Sequence, residues 1–195
     1  MTTVIIDTRK NIVYTDSQAT TDDCSTTPVS KIFRSNPSGI VLVGSGSLQT
    51  LHEIHDALNH KADLVCTPKC PISKMRIPRN TTGILILRST VEKKIKYLSV
   101  ESSVKTNWFG LKSRVTAMRT ITEASSIWYD GFILIGSGRH AARAVLAATA
   151  NPSVAIRVAA KLDLYTDANV QSLDYSHLLL PTPPTPPTHT NCGRT

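Results

Sequence analysis

Short apolar runs separated by polar turns fill most of the chain, and few of them are long enough for helices. Thr3-Val4-Ile5-Ile6, the polar stretch Asp7-Thr8-Arg9-Lys10-Asn11 and the return Ile12-Val13-Tyr14-Thr15 predict a β-hairpin at the start. Lys31-Ile32-Phe33 and Ile40-Val41-Leu42-Val43 predict two further strands, parted by the turn Asn36-Pro37-Ser38-Gly39. Leu48, Leu51, Ile54 and Leu58 recur at helical spacing, which predicts a helix from Ser47 to Asn59. Residues 61–82 are punctuated by proline and poorly periodic, so they read as an irregular excursion. Ile84-Leu85-Ile86-Leu87 and Ile95-Lys96-Tyr97-Leu98 form another strand pair, while residues 104–130 fit no single pattern. Phe132-Ile133-Leu134-Ile135 is a buried strand followed by Ala141, Ala142, Val145 and Leu146 on one helical face. Asn151-Pro152-Ser153 breaks that helix, and Val154, Ala155, Val158, Ala159 and Leu162 stripe the next. A last strand falls between Asn169 and Leu180. Strands, helix, strands, two helices and a strand do not alternate strictly, which favours an α+β fold over a doubly wound sheet.

Composition narrows the class. The 195 residues, 41% of them apolar, suit one ordinary folded domain over residues 1–180. Residues 181–195, a Pro/Thr-rich stretch, are expected to be a disordered tail, because proline fixes φ and removes backbone donors. No apolar run reaches the roughly 18–20 residues that span a bilayer, and Met1-Thr2-Thr3-Val4 does not open a leader peptide, so a cytoplasmic location without membrane contact is expected. Cys24, Cys66, Cys70 and Cys192 are expected as free thiols in that compartment. Cys66-x-x-x-Cys70 is half a metal site without a second half, so no metal is expected. The net charge is +8, from 22 Lys+Arg against 14 Asp+Glu. These charges are dispersed and aromatics make up only 5%, which argues for a solvated basic surface over a nucleic-acid site.

Two glycine turns invite a nucleotide reading. Ile135-Gly136-Ser137-Gly138-Arg139-His140-Ala141 runs strand, Gly-x-Gly-x-x-Ala, helix. A dinucleotide site opens its domain and places an acidic residue about 20 positions on, after a strand. Here the motif comes late, and Asp163 follows a second helix, so no nucleotide cofactor is expected. Leu42-Val43-Gly44-Ser45-Gly46-Ser47 is a near copy ahead of the first helix. The bland explanation of both is tight turning and close helix–sheet packing, with helices on both sides of a sheet pair. His52, Glu53 and His55 lack the His-Glu-x-x-His spacing of metalloproteases and read as residues on a polar helix face.

The chemistry centres on the Thr2-Thr3 pair. Once Met1 is trimmed, a terminal threonine carries a hydroxyl nucleophile and an α-amine of pKa roughly 7.7–8.0 on one residue, so the amine can act as general base near neutral pH. Thr2-Thr3-Val4-Ile5-Ile6 followed by Val13-Tyr14-Thr15-Asp16-Ser17-Gln18-Ala19-Thr20 closely resembles the opening of proteasome β-type subunits. It is most similar to the bacterial peptidase subunit that partners an ATP-driven unfoldase, the HslV type. The resemblance implies that Asp16 and Lys31 flank the threonine, the lysine lowering the proton affinity of its hydroxyl and the aspartate holding the lysine charged. It further implies an oxyanion-hole N–H at Gly44, a serine contact to the threonine amine at Ser137, and a supporting network at Asp163 and Thr166. The likeness covers about residues 2–175, with five short motifs in family order. Departures are the span from Lys61 to Thr82, Ser45 and Ser47 in place of small apolar residues or glycine, and Asp167-Ala168 where a glycine commonly follows the serine or threonine.

What this resemblance implies is a threonine-type endopeptidase with a four-layer αββα sandwich of the N-terminal nucleophile hydrolase type. It implies a homo-oligomeric ring enclosing a chamber, fed with unfolded polypeptides by an ATP-dependent unfoldase, and no metal or organic cofactor. Two alternatives stay open: a non-catalytic structural ring subunit of the same fold, and an amidohydrolase acting on small amides.

Overall fold

The computed structural model describes residues 2–20, 26–35, 39–59, 61, 65, 67, 69–78, 81–88, 94–106, 109–110, 112–120 and 128–179. Met1, Cys24, Cys66, Cys192 and the Pro/Thr-rich tail lie outside them. Strand β1 (Thr3–Asp7) and strand β2 (Ile12–Asp16) form the expected hairpin, with Val4 opposite Thr15. Asn11 closes the turn at φ 58°, a left-handed conformation that asparagine tolerates. Beyond them come β3 (Gln18–Thr20) and β4 (Thr26–Pro28), which pair only with each other.

Strands β5 (Ile32–Ser35), β6 (Ile40–Ser45), β7 (Thr82–Arg88), β8 (Ile95–Thr106) and β9 (Lys112–Thr120) follow one another in an antiparallel five-stranded meander. The second five-stranded sheet gathers strands distant in sequence, in the order β10 (Trp128–Tyr129), β11 (Phe132–Gly136), β1, β2, β12 (Val170–Asp174). Its centre is therefore β1, which begins one residue after Thr2 and pairs Thr3 with Gly136 of β11.

Three helices complete the order: α1 (Leu48–Leu58), α2 (Arg139–Thr149) and α3 (Pro152–Leu162). The first fits the predicted span, with the Ser47 hydroxyl accepting the Thr50 N–H at its start. Asn151 caps α3 through the N–H groups of Ser153 and Val154, and Pro152 takes the first helical position, where its missing N–H costs nothing.

The apolar runs sort by alternation into three clusters. Val4, Ile6, Val13, Ile133 and Ile135 of one sheet meet Val41, Val43, Ile84 and Ile86 of the other. Their neighbours turn outward: Ile5, Phe132 and Leu134 pack with Ala142, Leu146, Ala155, Ile156 and Ala159 of α2 and α3. Ile40, Leu42, Leu85 and Leu87 pack with Leu51, Ile54 and Leu58 of α1. Each central strand is buried on both faces, which is why it reads as a continuous apolar run.

The irregular excursion holds a 3-10 turn, Pro71–Lys74, and sends Val65, Cys70, Ile72 and Ile77 into the cluster beside α1. It is thus a part of the core that no periodicity announced. His52 and His55 set their rings against Phe33, at centroid distances of 4.7 and 5.9 Å, on the edge of the same cluster. Among the described residues, no helix is long and apolar enough to cross a membrane.

Candidate active site

The start of β1, the end of β2 and the residue before β5 converge on Thr2. Lys31 Nζ donates to Thr2 Oγ1 at 2.5 Å and to Asp16 Oδ2 at 2.8 Å. All three residues are buried, at 1%, 0% and 6% exposure for Thr2, Asp16 and Lys31. Asp16 is well supplied with donors: Oδ1 accepts the Thr3 N–H at 2.9 Å, and Oδ2 also accepts the N–H groups of Gln18 and Asp167 at 3.3 and 3.4 Å. Such an acceptor set fits the carboxylate form.

Burial is the largest influence on both partners. It pushes the Lys31 ammonium below the ordinary lysine range, against the attraction of Asp16, Asp167 and Asp163. It raises Asp16 in turn, opposed by Lys31 and by the N–H groups of Thr3 and Gln18. A lysine that holds its proton less firmly, in contact with a hydroxyl, is suited to exchanging a proton with that hydroxyl.

A second chain of hydroxyls lies behind this triad. Ser137 Oγ donates to Asp163 Oδ2, and Thr166 Oγ1 donates to the same oxygen at 2.7 Å. Thr166 has one hydroxyl proton, already committed to Asp163, so the 2.8 Å contact between Thr3 Oγ1 and Thr166 Oγ1 has Thr3 as donor. Burial raises Asp163, but the donors Ser137, Thr166 and the Tyr165 N–H outweigh it and hold the carboxyl below its ordinary range. Thr3 therefore links the two groups: its N–H reaches Asp16 and its hydroxyl reaches Thr166.

Two glycines make this approach possible. A Cβ at Gly136 (φ 97°) would lie 1.7 Å from the Thr2 carbonyl oxygen. One at Gly138 would lie 2.1 Å from Thr3 Oγ1 and 3.0 Å from Thr166 Oγ1. The Gly136-Ser137-Gly138 turn thus leaves room for the Thr2 backbone and the Thr3 hydroxyl.

In front of Thr2 a pocket of about 140 Å³ is lined by Thr2, Lys31, Val29, Gly44, Gly46 and Leu48 among others. Gly44 sits there near the end of β6, where a Cβ would lie 2.3 Å from Leu51 Cδ2. Gly46, two residues on, lines the same pocket at φ 105°.

All seven residues singled out in the sequence thus fall into this one region, Thr2, Asp16 and Lys31 in direct contact, Ser137, Asp163 and Thr166 in the adjoining chain, and Gly44 on the pocket wall. Residues that sequence reasoning gave no role in the site are Thr3, Ser17, Gly46, Asp167 and Asn169. Their signal was adjacency, since each lies within three residues of a residue already singled out.

No family model matches the sequence, and no curated protein matches it. The structure is similar to the crystal structure of eukaryotic HslV from Trypanosoma brucei, with a TM-score of 0.53 and 18% identity. The match covers 88% of this chain and 97% of that one. The chain has an HslV-like, proteasome-like fold.

Proposed function

We propose that this protein is a threonine-type peptidase subunit that hydrolyses peptide bonds of unfolded polypeptides through Thr2, exposed as the terminal residue by removal of Met1. The observation that carries the reading is the buried contact of Lys31 Nζ with both Thr2 Oγ1 and Asp16 Oδ2. An HslV-like fold around that contact supports it. The three apolar clusters likewise support a four-layer αββα arrangement, and the fold supports assembly of copies into a ring. The ring's ATP-dependent unfoldase partner and its cytoplasmic setting belong to the same proposal.

In this mechanism the free amine of Thr2 takes the hydroxyl proton as Oγ1 attacks the peptide carbonyl. Lys31 stabilises the developing alkoxide, and Asp16 orients Lys31. The backbone N–H of Gly44 receives the carbonyl oxygen as it becomes an oxyanion. The amine then gives its proton to the departing nitrogen, leaving an ester on Thr2. Water, deprotonated by the same amine, hydrolyses the ester and restores the hydroxyl. Ser137, Asp163, Thr166 and Thr3 hold the first two residues in place.

The test is an intact mass before and after incubation with a peptide epoxyketone, a warhead that bridges a terminal threonine's hydroxyl and amine. Loss of Met1 with one adduct, absent in Thr2→Ala, is the expected result. Retention of Met1 with no adduct would overturn the reading and favour a structural subunit of the same fold.

A further inference from the structure

One carboxylate close to the cluster is not among the seven residues singled out in the sequence. Asp167 directly follows Thr166. Its backbone N–H donates to Asp16 Oδ2 at 3.4 Å, the oxygen that also accepts from Lys31. Its side chain is anchored separately: Ser17 Oγ donates to Asp167 Oδ2 at 3.0 Å, and Asn169 Nδ2 donates to Ser17 Oγ at 2.9 Å. Ser17 is fully buried and directly follows Asp16, so releasing Asp167 would leave a buried hydroxyl without its acceptor.

The charges around Lys31 come from two directions. β2 contributes Asp16, and the connection between α3 and β12 contributes Asp163 and Asp167. From the other elements lining the pocket, Gln18, Ala19, Val29, Gly46, Ser47 and Leu48 bring no ionisable group. Among the described residues, one buried cation therefore faces three carboxylates, in a chain whose overall charge is +8.

We propose that Asp167 is a positioning residue for the Thr2–Lys31–Asp16 cluster: its N–H fixes Asp16, and its Ser17-anchored carboxylate sets the charge balance in which Lys31 works. The inference rests on the proposed role of Lys31 beside Thr2. A third negative charge favours the ammonium over the amine, opposing the burial that pushes Lys31 down. The same field raises the proton affinity of a terminal amine on Thr2, so the base becomes available at higher pH than it would without Asp167.

The experiment is an NMR titration of the full chain carrying lysine labelled with carbon-13 at Cε, the Lys31 signal being assigned by its loss in Lys31→Arg. Asp167→Asn keeps an acceptor oxygen for Ser17 and removes only the charge, and Asp167→Gly removes the whole side chain. The expected result is a Lys31 titration displaced to lower pH in either variant that folds. A Lys31 titration superimposable on that of the unsubstituted protein would overturn the proposal, because a purely structural role leaves that charge balance untouched. A second readout is the pH dependence of epoxyketone adduct formation, whose acid limb is expected to move to lower pH in Asp167→Asn. Absence of any adduct in the unsubstituted protein sinks the peptidase reading alone, and the Lys31 titration still decides the role of Asp167.

Discussion

The turn Val43-Gly44-Ser45-Gly46-Ser47 before α1 and the turn Ile135-Gly136-Ser137-Gly138 before α2 are near copies in sequence. In the first, the atoms nearest a Cβ on Gly44 are side-chain carbons of Leu51, the closest at 2.3 Å. The helix is then capped by a side chain, Ser47. In the second, Cβ atoms would meet the Thr2 carbonyl oxygen and the hydroxyls of Thr3 and Thr166, and α2 starts at Gly138 without a side-chain cap. One glycine gives room to a leucine, which another residue could replace. The others give room to the Thr2 backbone and to the hydroxyls of Thr3 and Thr166, next to the pairing of Thr3 with Gly136. A shared motif therefore identifies a tight turn, and what lies opposite the missing side chain decides what a substitution there would disturb.

The comparison breaks most visibly at Gly136. Gly136→Ala is expected to abolish the Thr2 adduct and to lower stability by about 2–4 kcal/mol, since the methyl must displace the Thr2 carbonyl and the residue sits at positive φ. A folded Gly136→Ala protein that forms the adduct at the normal rate would refute the claim that this turn seats Thr2.

At Gly44 a smaller and repairable effect is expected. Gly44→Ala should cost about 1–3 kcal/mol by overpacking against Leu51. In a Leu51→Ala background the same substitution should cost close to nothing, because the clashing methyl groups are gone. Denaturant unfolding of the four proteins measures that coupling; additive losses would show that Leu51 is not what excludes a side chain at Gly44.

The smallest effect concerns the serine that each turn presents. Ser137 helps to hold Asp163 below its ordinary range, so Asp163 binds fewer protons folded than unfolded. The stability this supplies is complete above the unfolded carboxylate value, roughly 3.9, and is lost as pH falls through the lower folded value. Ser137→Ala is expected to flatten that acid limb of the stability profile, and Ser45→Ala to leave it unchanged. Equal acid limbs in Ser137→Ala and the unsubstituted protein would remove Ser137 from the Asp163 network.

Much of the fold was legible because the central strands of both sheets are buried on both faces. Ile40-Val41-Leu42-Val43, Ile84-Leu85-Ile86-Leu87 and Phe132-Ile133-Leu134-Ile135 are continuous apolar runs for that reason. The far half of β8 and the whole of β9 were not legible. Beyond Val100 they read Glu101-Ser102-Ser103-Val104-Lys105-Thr106 and Lys112-Ser113-Arg114-Val115-Thr116, and their register comes from pairing with each other, with Ser103 opposite Val115. Nor did any period mark Val65, Cys70, Ile72 and Ile77, because an irregular segment meets the core one residue at a time.

The sequence by itself determined the alternation of strands and helices, the break at Asn151-Pro152, and the candidate set Thr2, Asp16 and Lys31 in family order. Only the tertiary structure decided that Thr3 joins Asp16 to Thr166, that Gly136 and Gly138 exist for the threonines, and that Asp167 adds a third carboxylate around Lys31. The physical reason is distance along the chain. Strand and helix signals arise between residues a few positions apart, where local sterics act. The contacts of Thr3 with Thr166, Ser17 with Asp167 and Thr2 with Gly136 span more than a hundred residues, and they arise only when β1 is placed at the centre of its sheet.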